Sequence, residues 1–375
     1  MKAIGQSFVH VAYMFDVLRY GIGVRAETVL NVLKSLRKRC VVCALGFTVA
    51  SAVFMPAVAE TGWHFAVEPL FGIKYGQLDE YVFLEKSNYN DDTLSELVWD
   101  IKPEIYGGVQ VRGGWKGIFG ELRVTGGIPM QTGAMADYDW LNNDPNDVAD
   151  SSKCGNWLTC YSEHDNRLEE DFSFGIKGGY EFTPSRFFSI MPALAFDYNS
   201  IRFSAKNGEG RYGYGADGNF RQKHGYYAAY NDAEDQYRVS FIGQVITYRR
   251  ESYYVWLGGD FTCMLPCRFV ISAGAYVAPY VYAISYDSHL VTKRDYADIT
   301  DGFFAAVKGN FGVTYRLDKH FSFLLAAEYL YLRPLRGDDY YKIASESAYR
   351  KADAVQGGAG ASCFSVSHSV RFTIF

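Results

Sequence analysis

The chain of 375 residues lacks the features of several common protein classes. It has one apolar stretch of helical length, so it is not a bundle of transmembrane helices. Its formal net charge is −5 and its body has no Lys/Arg-dense stretch, so we expect no nucleic-acid partner. Prolines number only 10, against 6 Trp, 30 Tyr and 27 Phe. So many aromatic residues exclude a wholly disordered chain.

The amino-terminal 59 residues carry the three parts of a secretory signal. Residues 34–39 form a basic run, residues 40–54 are mostly apolar, and an Ala-Val-Ala sequence ends at residue 59. This order predicts a signal peptide with an N-terminal extension, cleaved after Ala59; a short membrane anchor is the alternative. The remaining residues, 60–375, are expected to form one domain.

Cysteine usage agrees with an exported protein. Cys154 and Cys160 lie six residues apart in a polar segment, and Cys263 and Cys267 flank a short Met-Leu-Pro sequence. Either pair could form a disulfide in an oxidising compartment. Beyond the signal, no Cys-x-x-Cys pair or Cys/His cluster occurs, so no metal site is predicted.

After residue 60, apolar residues recur with period two. In residues 319–333, Phe321, Phe323 and Leu325 share one face. In the last segment, residues 362–375, apolar and small polar residues also alternate. This pattern is typical of strands between lipid and a wet lumen, although a soluble exported β-sandwich shows alternation too.

Connections between the alternating tracts have two lengths. Residues 183–185 and 317–319 form short turns, whereas other connections are long and polar. The long ones are residues 140–168, 204–234, 287–300 and 335–360. We therefore predict an all-β fold: a transmembrane antiparallel β-barrel of about ten strands with long extracellular loops.

Two acidic clusters lie where a strand enters a long loop. Asp137 and Asp139 are two residues apart, and so are Asp287 and His289. In an extended chain, residues i and i+2 point to the same face. Paired carboxylates can share a proton or hold a water, and an aspartate can orient a histidine as a general base. Alone, each cluster is more typical of a solvated surface.

Together these motifs resemble the omptin family of outer-membrane barrel endoproteases. That family has an Asp-x-Asp followed by Trp, as in residues 137–140 here, and a later Asp-x-His, as in residues 287–289. Glu80 matches a pocket residue of the first strand, and residues 162–164 match a Ser-x-His beside the catalytic centre. Residues 171–178 resemble the strand that follows.

The resemblance implies an outer-membrane, aspartic-type endopeptidase whose site faces outside and needs no cofactor. His289, held by Asp287, would activate a water facing Asp137 and Asp139. Met135, Ser162 and His164 would support the site, and Glu80 would bind substrate, with cleavage next to basic residues. A Ser/His/Asp triad is the alternative mechanism. The alternative functions are a catalytically silent barrel acting as adhesin or receptor, and a diffusion pore.

Two departures from the omptin pattern concern recognition. The second acid of the family's pocket would fall two residues before Asp287, where this chain has Ser285. This absence predicts a weaker or altered preference for basic residues. Peptides and proteins are the expected partners. For lipopolysaccharide, Arg202 and Lys206 are the candidates, although a role as ordinary strand-end cations explains them better.

Overall fold

A computed structural model describes residues 62–232 and 236–374, and these residues are built mainly from β-strands. The predicted signal peptide lies outside the described residues. The strands are β1 (Trp63–Leu84), β2 (Thr93–Trp115), β3 (Ile118–Gly127), β4 (Met130–Asp139), β5 (Cys160–Tyr180), β6 (Phe182–Ser185), β7 (Phe188–Tyr212), β8 (Tyr237–Ser240), β9 (Gln244–Met264), β10 (Phe269–His289), β11 (Arg294–Gly302), β12 (Ala306–Arg316), β13 (Phe321–Ile343), β14 (Arg350–Lys351) and β15 (Val355–Thr373).

Helical structure in the described residues is confined to short segments near the loops. They are one α-helical turn, Phe220–His224, and the 3-10 turns Leu141–Asn143, Ser151–Lys153 and Pro266–Arg268. No helix among the described residues has the length and apolar character needed to cross a membrane.

The strands close into an antiparallel barrel. Gly72 of β1 pairs with Tyr106 of β2 on one side and with Ser367 of β15 on the other, which joins the two ends of the sheet. β3 and β4 follow one another along β2, and β11 and β12 do so along β10. With each of these counted as one strand and short β6, β8 and β14 set aside, the described residues form a ten-strand barrel, as predicted.

The two ends of the barrel differ in their connections. At one end, residues 116–117, 265–268 and 317–320 make short turns between long strands. At the other end, residues 140–159 and the described residues between β7 and β9 form long connections. The prediction of short turns at one end and long loops at the other is therefore confirmed, and we call the second end the loop end.

The predicted loop bounds were wrong, because the strands extend into the polar segments. β5 begins at Cys160, β7 runs to Tyr212 and β13 runs to Ile343. Near the loop end both faces of a strand can meet water or polar groups. The apolar alternation that marks a strand in lipid then has no physical cause and disappears.

The outer wall carries the predicted apolar face. Phe323 and Leu325 of β13 are 52% and 56% exposed, and Phe364 and Val366 of β15 are exposed as well. The residues between them, such as Ser365, turn towards the lumen. Large exposed apolar side chains in this alternation fit contact with lipid rather than water.

The barrel interior is packed. Near the middle of the strands, ion pairs fill the lumen, as where Lys74 lies 3.0 Å from Glu104 and 2.5 Å from Asp171. Towards the loop end an aromatic layer follows, in which Trp99 stacks with Phe203 and Tyr248 at ring-centroid distances of 5.7 and 5.2 Å. A lumen filled in this way provides a rigid base for side chains at the loop end.

The cysteines in the described residues are unpaired. The suggested disulfides Cys154–Cys160 and Cys263–Cys267 are therefore absent. Cys160 is buried within β5, whereas Cys154 lies in the loop before it and contacts the Tyr89 hydroxyl. Sequence proximity alone did not bring the two sulfur atoms together.

Candidate active site

The two acidic motifs lie at the loop end on opposite sides of the lumen. Asp137 and Asp139 are on β4, and Asp287 and His289 are on β10. By the shorter way round the barrel, three strands lie between β4 and β10, namely β5, β7 and β9. In each motif the residues are two apart on an extended strand, so their side chains share the inward face.

Asp287 and His289 form a hydrogen-bonded dyad. His289 Nε2 donates to Asp287 Oδ2 at 2.7 Å, because a carboxylate can only accept. The Asp287 side chain is 2% exposed and that of His289 is 25% exposed. The ring of Tyr296 packs edge-on against the imidazole at 5.2 Å between centroids. The neutral imidazole therefore keeps Nδ1 free of Asp287 and able to accept a proton.

Electrostatic interactions join the two motifs across the lumen. Burial opposes a charged imidazole, but the charges of Asp287, Asp137 and Asp139 outweigh it and raise the pKa of His289 to about 9. Burial and the Asp139 carboxylate hold the pKa of Asp137 well above its ordinary value. Burial also raises the pKa of Asp139 to about 6. The charges of Asp137, Asp139 and His289 therefore act on one another across the lumen.

Ser162 and His164 lie on β5, directly beside the aspartate pair. Ser162 pairs in register with Asp137, and its hydroxyl lies 2.9 Å from His164 Nε2. His164 Nδ1 donates to the backbone carbonyl of Asn207 at 2.5 Å, so Nε2 accepts from the serine. Both side chains are buried, and burial lowers the pKa of His164. The third member of a Ser/His/Asp triad is here a backbone carbonyl, not a carboxylate.

Glu80 and Met135 occupy different layers. Glu80 on β1 pairs with Leu97, which pairs in turn with Asp137, so Glu80 faces the same part of the lumen. Met135 is fully buried between Trp99 and His164 in the register of the strands. It belongs to the packed layer under the aspartate pair and supports it from below.

Two acids of this region were missed by the sequence reasoning. Asp298 on β11 and Asp339 on β13 are buried and interact electrostatically with Asp287. Both lie in segments that were read as loops. The sequence carried one indication of the position of Asp298. On a strand, Asp298 would point to the same face as Tyr296, which is two residues before it.

A group of three or more His, Cys, Asp or Glu side chains arranged to hold a metal ion does not occur among the described residues.

Fold and site together define a class: a closed, lipid-facing β-barrel with ionisable side chains gathered at its loop end. A family model described as the omptin family matches residues 63–374. The chain belongs to the omptin family. By this membership it is a protease of the outer membrane, and its substrates are peptides or proteins.

One solved structure shows the same fold. The outer-membrane protease OmpT from Escherichia coli aligns with a TM-score of 0.68 and 14% sequence identity, covering 86% of this chain and 99% of that one. The translocator domain of the autotransporter NalP from Neisseria meningitidis aligns at a TM-score of 0.33 and 7% identity, covering 93% and 98%. The search of curated proteins gave no match.

Proposed function

We propose that this protease is an endopeptidase in which the Asp287–His289 dyad activates a water that faces Asp137 and Asp139. The observation that supports it most is the position of His289. Its imidazole is hydrogen bonded to Asp287 and coupled to both aspartates of the opposite wall. A water between the two walls would meet a base on one side and an acidic pair on the other.

The proposed reaction forms no covalent bond between the enzyme and the substrate. His289 Nδ1 takes a proton from the water, whose oxygen attacks the peptide carbonyl carbon. Asp137 and Asp139 accept hydrogen bonds from this water and position it for the attack. The histidine then gives its proton to the amine as the C–N bond breaks, releasing an acid and an amine.

The proposal also covers the orientation of the barrel, its export signal and its cleavage preference. We propose that the loop end faces outside the cell, that residues 1–59 are the signal peptide of a single barrel domain, and that cleavage occurs next to basic residues. Glu80, buried beside the dyad, supports the last of these. Arg202 and Lys206 remain candidates for lipid contact, with Arg202 already 3.4 Å from Glu170.

A fluorogenic peptide with paired basic residues, incubated with refolded protein, tests the function. We expect cleavage by the wild type and losses of about 100-fold or more in Asp137→Ala and His289→Ala. His320→Ala, at the opposite end of the barrel, is the matched control and should keep full activity. Heat-modifiable gel mobility reports folding of each variant. Absence of cleavage by folded wild type would favour the silent adhesin or receptor.

The pH profile tests the role of His289. A base must be deprotonated, and the pKa of His289 is raised to about 9. We therefore expect kcat/KM to rise about tenfold per pH unit through the neutral range and to level off near the pKa of His289. A plateau already reached at an ordinary histidine pKa of about 6.5 would contradict this role.

A further inference from the structure

Three carboxylates that the proposed reaction does not use surround the base of the Asp287–His289 dyad. They are Glu80 on β1, Asp298 on β11 and Asp339 on β13, and each residue is only 5% exposed. Buried acids normally have a cationic partner, because burying an unpaired charge is costly. A cationic partner is therefore expected for these three carboxylates.

The register of the strands places two of these acids beside the position of the missing one. Ser285, two residues before Asp287, pairs with Asp298 on the next strand. Asp298 pairs in turn with Asp339. Ser285, Asp298 and Asp339 therefore form one row across three neighbouring strands. The two carboxylates of this row lie one and two strands away from Ser285. The Ser285 hydroxyl lies 3.1 Å from the Tyr248 hydroxyl and is itself buried.

Strand β15 lies between these acids and Glu80 and leaves the space open. Its residues 357–360 read Gly-Gly-Ala-Gly, and Glu80 pairs with Ala359. A Cβ added at Gly357 would collide with Asp298 Oδ1. The Asp298 carboxylate therefore lies directly against the backbone of β15, and no bulky side chain of β15 separates the acids of β1, β11 and β13.

The carboxylates lack a cationic partner. Glu80 Oε2 and Asp339 Oδ1 are buried without a hydrogen-bond partner, and so is Asp287 Oδ1. Among the described residues, no Lys or Arg forms an ion pair with Glu80, Asp298 or Asp339.

The buried cation Arg250 interacts electrostatically with Glu80, but its hydrogen bonds go to the backbone. The guanidinium of Arg250 donates to the backbone carbonyls of Asp79 and Gly360 at 3.2 and 2.8 Å. Burial and repulsion among the acids nevertheless raise the pKa of Glu80 and Asp298, because the charge of Arg250 does not outweigh them at Glu80.

Resting on the proposed endopeptidase function, we propose that Asp298 and Asp339 are specificity-determining residues. With Glu80 they form a pocket that takes a lysine or arginine side chain of the substrate beside the dyad. Such a side chain supplies the ion-pair partner that the three acids lack. The charge that Ser285 does not provide thus comes from the two neighbouring strands.

Binding in an inactive background tests the pocket separately from catalysis. In His289→Ala, we measure fluorescence anisotropy with two labelled peptides that differ only in arginine against citrulline, its uncharged isostere. We expect the arginine peptide to bind at least about tenfold more tightly. Adding Asp298→Asn and Asp339→Asn should remove most of this difference and leave only the part that Glu80 maintains. Adding Asp301→Asn, which changes an exposed acid of the same strand, should preserve it.

Two further variants keep the test decisive. Asp298→Asn alone should lower the arginine preference in part. This single variant serves if the double variant misfolds. Heat-modifiable gel mobility reports the folding of each. Adding Ser285→Asp to the double variant should restore the preference, since it returns a carboxylate to the same row.

The outcomes separate the pocket from the reaction. Equal binding of both peptides by the His289→Ala parent, or full arginine preference in the double variant, would overturn the pocket, even if the wild type cleaves peptides. Arginine-selective binding that the double variant loses would support the pocket, even if the wild type cleaves nothing and the proposed function fails.

Discussion

Charged side chains fill both halves of this barrel, but they are arranged differently. In the half nearer the short turns, lumenal acids have basic partners. Examples are Lys177–Asp260 at 2.8 Å, Lys308–Asp197 at 2.6 Å, Lys74–Asp171 at 2.5 Å and Arg371–Glu68. At the loop end the acids outnumber the bases. Among the described residues its lumenal acids are Glu80, Asp137, Asp139, Asp287, Asp298 and Asp339, and the cations that interact with them are His289 and Arg250.

The difference separates charges that serve the fold from charges that serve the reaction. A paired buried charge can be accommodated without a ligand, since its partner offsets much of the desolvation cost. An unpaired buried acid has no such offset and lowers stability unless something else neutralises it. The loop end carries this cost, which fits a site whose partners arrive with the substrate.

Removing a lumenal cation from the paired half should have the largest effect on stability. Lys74→Met leaves Glu104 and Asp171 without their ammonium group, and both acids are buried. We expect the free energy of unfolding to fall by about 3–5 kcal/mol. Urea unfolding in lipid vesicles measures it, with exposed Lys86→Met as the control. An unchanged midpoint would show that these pairs are not structural.

Removing an acid from the unpaired cluster should have the opposite sign. The pKa of Asp298 is raised on folding, so its charged form costs stability above the unfolded pKa of about 3.9. Asp298→Asn should therefore raise the free energy of unfolding by about 1–2 kcal/mol near neutral pH, with a smaller gain in acid. Asp301→Asn is the control. Destabilisation by Asp298→Asn would place this acid among the structural charges.

The smallest effect is expected at Ser162. In our account its hydroxyl only holds His164, so Ser162→Ala should lower kcat less than about tenfold. A nucleophilic serine would instead lose a factor of about 10⁴ or more. Steady-state cleavage of the fluorogenic peptide distinguishes these results. Ser152→Ala, in an exposed part of the long loop, is the matched control.

Much of the fold could be predicted because lipid imposes a simple rule on sequence. Where one face meets lipid, as at Phe323 and Leu325, every second residue must be apolar, and the short turns mark the strand ends. Above that belt the rule no longer applies. Residues 160–168 therefore read as a loop although they continue β5.

The candidate site shows the same limit. Asp137, Asp139, Asp287 and His289 were predicted because their spacing and order match a family motif. Asp298 and Asp339 belong to no such motif, and their meeting depends on the register of β11 against β10 and β13. Sequence spacing within one strand cannot provide the register between strands.

Electrostatic interactions couple the motif of β4 to the motif of β10 across the lumen, and the titration of His289 tests this coupling directly. Refolded protein with labelled histidine is titrated by NMR, and His289→Ala assigns the signal among the 7 histidines. We predict a pKa near 9 in the wild type, because the charges of Asp287, Asp137 and Asp139 favour the imidazolium. In the double variant Asp137→Asn/Asp139→Asn the pKa of His289 should fall towards about 6.5. In Asp301→Asn this pKa should not change. The same titration curve in the double variant and the wild type would contradict the account.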